Sequence, residues 1–243
     1  MSAATGVNWG SLAPLTLLLV ACTQAGTTGS NQDAFAVARE RMVADQIAAR
    51  DVRDERVLAA MREVPRHLFV PPDSQGQAYD DRPLSIGFGQ TISQPYIVAL
   101  MTELARPVAS ARALEIGTGS GYQAAALSRL VSWVYTIEIV EPLARGAERR
   151  LKDLGYANVT VRAGDGYAGW PEVGPFDIVV VTAAPDHVPE PLVAQLKPGG
   201  RLVVPIGPVS SVQQLQLIEK DAEGRTHTTR VAQVRFVPLL RDR

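Results

Sequence analysis

The sequence predicts an α/β fold: a mostly parallel, twisted sheet with helices on both faces, a helical N-terminal cap and an antiparallel hairpin at the C-terminal edge. Three observations predict it. From Arg112 onward, short β-rich runs alternate with helical patterns, which is how crossover units build a parallel sheet. Phe176 to Thr182 is apolar apart from Asp177 near its start and Thr182 at its end, and its unbroken Ile178 to Val181 run suits a strand buried on both faces. Ala113-Leu114-Glu115-Ile116-Gly117-Thr118-Gly119-Ser120-Gly121 reads as a strand end, a tight backbone turn and a helix start. That is the layout of a nucleotide-type site beyond a parallel strand.

The elements follow in order. Asp33 to Arg50 has Phe35, Ala38, Met42 and Ile47 at roughly helical spacing. Asp54 to Glu63 gives a second helix through Val57, Leu58 and Met61, stopped by Pro65. Arg66 to Gln90, rich in Pro, Gly and Asp, reads as a long irregular connection, and Ser93 to Ala105 as a third helix. The core then alternates: strand Ala113 to Ile116, helix Tyr122 to Leu130, strand Trp133 to Glu138, helix Pro142 to Leu154, strand Val159 to Ala163, strand Phe176 to Thr182. A short helix, Pro189 to Leu196, is closed by the turn signal Lys197-Pro198-Gly199-Gly200 before strand Arg201 to Ile206. Val212 to Glu219 and Thr226 to Leu239 flank Asp221-Ala222-Glu223-Gly224 and read as a hairpin.

Composition narrows the function. A chain of 243 residues with 46% hydrophobic content can bury one such domain. A net charge of −1 and the lack of a long Lys/Arg cluster argue against nucleic acid as partner. One cysteine excludes an internal disulfide framework, and with three scattered histidines it offers no zinc set, so no metal is expected. The chain is expected to be a monomer, although nothing in the sequence sets its oligomeric state.

The N-terminus supports two readings. Leu12 to Ala21 is apolar but too short to span a bilayer, and Leu19-Val20-Ala21-Cys22 resembles a bacterial lipobox whose Cys22 would be lipidated. Gly26 to Asn31 would then be a flexible tether. Against this, no Lys or Arg precedes Leu12, so residues 1 to 32 can equally be a disordered extension. Either way they are expected to lie outside the domain of residues 33 to 243.

Three strand ends carry candidate ligand-binding residues. Gly117, Gly119 and Gly121 fit the loop of methyltransferases better than that of NAD enzymes, whose third glycine falls where Tyr122 stands. A glycine-rich turn in some other α/β protein is the alternative. Glu138 lies 21 residues after Gly117, the place of the acid that grips ribose hydroxyls and repels a 2′-phosphate. Asp165, in Gly164-Asp165-Gly166, can accept from an adenine amino group or simply make a turn. S-adenosylmethionine suits such a site, having adenine and ribose but no phosphate that demands a basic residue.

Several segments resemble the protein-L-isoaspartate O-methyltransferases, whose fold is the Rossmann-like class I methyltransferase. They are Val64-Pro65-Arg66-His67-Leu68-Phe69-Val70-Pro71, Gln90-Thr91-Ile92-Ser93-Gln94-Pro95-Tyr96, Leu114 to Tyr122, Gly164-Asp165-Gly166, Leu196 to Leu202 and Val234-Arg235-Phe236-Val237-Pro238-Leu239. The resemblance covers about Asp33 to Leu240. It implies methyl transfer from S-adenosyl-L-methionine to the free carboxylate of L-isoaspartyl residues in damaged proteins, which initiates repair through a succinimide. It implies Ser93 at the active site, with Thr91, Ile92, Glu115, Gly117, Thr118, Gly119, Gly121, Glu138, Asp165 and Gly166 around the cofactor. Val234, Arg235 and Phe236 would lie beside the substrate peptide. Ser93 has a second reading as the N-cap of a helix that carries Pro95 in its first turn. The family usually has a polar residue where this chain has Leu240, so a contact from that side chain is in doubt.

The chemistry agrees with what the chain lacks. An isoaspartyl carboxylate is ionised near neutral pH and a sulfonium is already activated, so neither a base nor a metal is required. His67 reads as a hydrogen-bonded structural histidine, His187 as lying near the pocket rim and His227 as solvated surface. An amino-methylating nucleic-acid enzyme would carry an Asn/Asp-Pro-Pro-Tyr-like motif where this chain has Thr182-Ala183-Ala184-Pro185. A catalytically silent, envelope-anchored protein of the same fold is the other rival. S-adenosylmethionine is made in the cytosol, which favours a cytoplasmic enzyme; the lipobox favours an envelope lipoprotein bound to the membrane through Cys22.

Overall fold

The computed structural model describes residues 1–6, 27–208 and 210–241, with side chains from Ala34 onward in the first helix. The lipobox-like tetrad and Cys22 lie outside the described residues. Among those described, no helix is long and apolar enough to cross a membrane.

The cap comes first. Helix α1 (Thr27–Arg41) starts upstream of the expected Asp33, because no proline interrupts its backbone. It continues as a π-helical turn, Met42–Ala48. Met42 and Ile47 are both fully buried and five residues apart, so widening the turn brings them to one face. Helix α2 (Glu55–Glu63) is capped by Asp54, which accepts from the Arg56 N–H at 2.9 Å. The expected irregular connection instead holds two 3₁₀ turns and a small antiparallel hairpin, β1 (Leu84–Gly87) with β2 (Gln90–Ile92). Arg66 is wholly buried in this stretch; its Nε donates to the Ala78 carbonyl at 2.7 Å and its guanidinium stacks 4.8 Å from the Tyr122 ring. Helix α3 (Pro95–Leu104) has Gln94, not Ser93, at its cap position.

The core holds seven strands in the order β5-β4-β3-β6-β7-β8-β9. These are β3 (Arg112–Ile116), β4 (Trp133–Glu138), β5 (Val159–Ala163), β6 (Phe176–Val181), β7 (Leu196–Ile206), β8 (Gln213–Lys220) and β9 (Thr226–Val234). The first five pair in parallel; β7-β8 and β8-β9 are antiparallel. Helices α4 (Tyr122–Ser128), α5 (Glu141–Asp153) and α6 (Glu190–Ala194) connect them. Alternate residues feed two cores: Ala113, Ile178 and Val180 pack with the cap, whereas Leu114, Val179 and Val181 pack with Leu192.

One expected turn lies inside a strand. Lys197-Pro198-Gly199-Gly200 belongs to β7, where Leu196 pairs with Phe176 and Arg201 already with Ile178. The turn-prone residues are looped out of the ladder as a bulge. The chain order reverses direction beside β3, with β4 on one side and β6 on the other, and ligands of doubly wound sheets bind at such a switch point.

Candidate active site

A solvent-open cleft of about 710 Å³ lies beyond the carboxyl ends of β3, β4 and β6. Its floor is the glycine loop and its walls are Gln90 to Ser93, Glu138, Gly166, Thr182 and the segment Val237 to Leu240. Glu115 and Glu138 are its charged side chains; no Lys, Arg or His lines it among the described residues.

The loop is shaped before any ligand arrives. Gly117 has φ +96°, and a Cβ there would stand 2.5 Å from Thr182 Oγ1, so only glycine fits. The Thr182 hydroxyl is shared between the carbonyls of Gly117 (2.5 Å) and Ile116 (3.0 Å). A Cβ on Gly166 would lie 2.3 Å from Ile116 Cγ2, which keeps that backbone pressed against β3.

Both carboxylates are held without any cation. Glu138 is 5% exposed; its Oε2 accepts from the Gly119 N–H at 2.8 Å and its Oε1 from the Val140 N–H at 2.9 Å. Each oxygen keeps a second lone pair for a hydroxyl donor. Glu115 is fully buried, and its Oε2 accepts from Thr136 Oγ1 at 2.6 Å. That commits the single Thr136 proton, so the Thr118 hydroxyl, 2.7 Å away, donates to Thr136. Glu115 Oε1 has no partner among the described residues. Burial pushes the Glu115 carboxyl up to about 8; the Thr136 hydroxyl pulls it down and the neighbouring Glu138 pushes it further up. A ligand bringing positive charge or an N–H would complete this site.

Ser93 lies where two hollows meet. It is half-buried, its hydroxyl bonds to no described group, and with Thr91 it lines both the cleft and a second groove of about 1010 Å³. That groove runs between Pro83, Ile97 and Val212 and the end of β9, where Val234 is buried and Arg235 exposed. Helix capping therefore does not use Ser93, and the sequence-predicted residues Thr91, Ile92, Ser93, Glu115, Gly117, Thr118, Gly119, Glu138 and Gly166 come together around one cleft.

Two expected cofactor residues are not among those lining it. Asp165 Oδ1 accepts from the Tyr167 N–H at 2.8 Å and caps the 3₁₀ turn Gly166–Ala168, so its turn reading is realised, while its Oδ2 bonds to no described group beside the cleft-lining Gly166. Gly121 caps α4 and faces Leu151, because the cleft already closes at Ser120. His67 Nδ1 lies 2.7 Å from Tyr79 Oη and its ring stacks on Phe35 at 4.1 Å, a structural role. His187 sits beside Asp186 on a separate outer groove, and His227 is exposed on β9. No group of His, Cys, Asp and Glu among the described residues could hold a metal.

Sequence reasoning missed Thr182, Gln123 and the Val237–Leu240 wall as lining residues. Thr182 stands just past a parallel strand, so the strand-end rule could have found it. The C-terminal wall has no local signal. It is placed by pairing with the loop after β6: the Ala184 N–H donates to Val237 O at 2.8 Å and the Leu239 N–H to Ala184 O at 2.9 Å. Arg241 then lies 3.6 Å over the Tyr167 ring.

Comparison with known proteins gives one consistent result. Residues 37–243 match the family model described as protein-L-isoaspartate(D-aspartate) O-methyltransferase. The chain is 51% identical over 234 residues to protein-L-isoaspartate O-methyltransferase 2 of Syntrophobacter fumaroxidans, covering 93% of this chain and 95% of the relative. It is 58% identical over 205 residues to the protein-L-isoaspartate O-methyltransferase of Opitutus terrae, covering 84% and 88%. Among solved structures, a protein-L-isoaspartate O-methyltransferase of Plasmodium falciparum in complex with S-adenosyl-L-homocysteine superposes with a TM-score of 0.72 at 25% identity, covering 84% of this chain and 99% of that one.

Proposed function

The chain belongs to the protein-L-isoaspartate O-methyltransferase family, and from that premise we propose that it methylates the free carboxylate of L-isoaspartyl residues in damaged proteins, with S-adenosyl-L-methionine as donor. The observation that carries this reading is a cleft with two buried carboxylates and no cation, meeting at Ser93 a groove open to an extended peptide. Such a cleft suits an adenosyl sulfonium and would reject a phosphate-bearing nucleotide.

The donor supplies a methyl group on a positively charged sulfur; this chain's residues do the rest. Glu138 receives the ribose hydroxyls on the lone pairs left by the Gly119 and Val140 N–H groups. Glu115 offers Oε1 to the donor's ammonium end, and Gly117, Thr118, Gly119 and Gly166, which line the cleft, bring backbone close to the donor. Ile92 and Thr91 line the same cleft beside it. Ser93 Oγ donates a hydrogen bond that aims the substrate carboxylate, while the strand end at Val234 and Arg235 holds the peptide main chain. Partial burial of Ser93 strips water from that carboxylate as it approaches. The methyl ester then closes to a succinimide as the adjoining backbone nitrogen displaces methanol, and hydrolysis of that ring by water returns part of the material to normal aspartate. One chain supplies the whole site, so we read the enzyme as a monomer. We place it in the cytoplasm, where the donor is made.

The test is transfer of labelled methyl groups to an isoaspartyl peptide and to its normal aspartyl twin. Base-labile label is expected in the isoaspartyl form alone. Ser93→Ala should lower it by about 10- to 100-fold, the worth of one hydrogen bond to a charged group. Equal labelling of both peptides would refute the proposal.

A further inference from the structure

The groove beside Ser93 is walled by Pro83, Ile97, Val212 and Phe236, and the polar residues on it are uncharged apart from one. That one is Arg235. Strand alternation buries Val234 and leaves Arg235 exposed on the groove. The charged residues just before Pro83 are already matched: Asp81 with Arg50 at 3.0 Å and Arg82 with Asp80 at 3.2 Å. Arg235 is in none of the ion pairs or side-chain hydrogen bonds among the described residues. It is thus a lone cation over an apolar-walled groove, where a charge acts more strongly than on open surface.

We infer that Arg235 makes this enzyme select isoaspartyl substrates that carry a second carboxylate, from Asp or Glu, close to the damaged residue. The inference rests on the function proposed above and deepens it. The reacting carboxylate must stay a nucleophile at the Ser93 end, and a guanidinium clamped on it would oppose that. A flanking carboxylate has no such duty, and the planar fork of arginine matches it in two parallel hydrogen bonds. Main-chain pairing along the end of β9 would accept many sequences; Arg235 adds a charge filter to that tolerance.

The experiment uses isoaspartyl peptides of one sequence whose residues on both sides of the isoaspartate are Glu, Gln or Lys, each with its normal aspartyl twin. The wild-type kcat/KM should fall in the order Glu, Gln, Lys, with about three- to tenfold between the extremes at low salt, carried by KM. The spread should shrink as salt screens the pair. Arg235→Gln should equalise the three peptides, and Arg235→Glu should invert their order; thermal melting checks that both variants fold. Equal rates for the three peptides in the wild-type enzyme, with the aspartyl twins unlabelled, would overturn the charge filter and leave the methyltransferase reading standing. A Glu preference that survives in Arg235→Gln would overturn it too. Labelling of isoaspartyl and aspartyl peptides alike would remove the parent reading and this inference with it.

Discussion

The two ends of the parallel sheet differ in chemistry more than in size. At the amino ends, a hollow of about 1130 Å³ is bordered by charges that, apart from Arg106, meet opposite charges or backbone carbonyls within the fold. Asp177 accepts from Lys197 Nζ and from the Arg112 N–H, both at 2.8 Å, and Arg201 pairs with Glu219 while donating to Leu104 O at 2.9 Å. At the carboxyl ends the cleft is smaller, yet Glu115 and Glu138 meet only hydroxyl and N–H donors, and one buried oxygen is left over. Volume therefore does not mark the site. Charge left for a ligand to complete does.

The largest test of that contrast strikes the loop itself. Gly117→Val would force a Cβ into the Thr182 hydroxyl at a φ that valine resists, so S-adenosyl-L-homocysteine affinity should drop by ~100-fold or more. Calorimetry reads this directly; binding within tenfold of wild type would mean that the loop does not shape the cleft.

A second test concerns the leftover oxygen. The Glu115 carboxyl rises from an ordinary 4.5 to about 8 on folding, so between those pH values the unfolded chain has released a proton that the folded one keeps. Stability should fall as pH climbs through this window and level off above it. Glu115→Gln lacks the titration, so its urea midpoint should gain on wild type from pH 5 to pH 8, at up to about 1.4 kcal/mol per pH unit. A gap that stays constant with pH would show the carboxyl to be ionised throughout.

The smallest effect is expected at the opposite end. Lys197→Met breaks a half-exposed pair with Asp177, which costs about 1 kcal/mol or less and leaves cofactor affinity where it was. A loss of affinity in this variant would undo the contrast between the two ends.

The sequence exposed the core far better than the rim. Strands β4 and β5 lie where their β-branched runs place them, β4 inside the sheet and β5 half-buried at its edge. Lys197-Pro198-Gly199-Gly200 misled because a bulge uses the same residues as a turn. Glu138 was legible from its spacing, being tied to the loop across one crossover. The turn-making role of Asp165 was undecidable from Gly-Asp-Gly, which serves turns and ligands equally. The capping role of Ser93 failed for a finer reason: the helix begins one residue later, at Pro95, leaving Gln94 in the cap. The Val237–Leu240 segment was visible only through its family resemblance, and its place as a wall of the cleft was not, because its partner, Ala184, is distant in sequence.

That wall imposes an order of events on protein synthesis. Strands β3 to β6 and the glycine loop leave the ribosome well before Val237 to Arg241, so a nascent chain can collapse around its sheet while one flank of the hollow is still missing. Only when this last stretch docks on Ala184 and Arg241 settles over Tyr167 does the enclosure exist. A polypeptide truncated late by a premature stop should therefore keep its fold and lose its grip on the methyl donor.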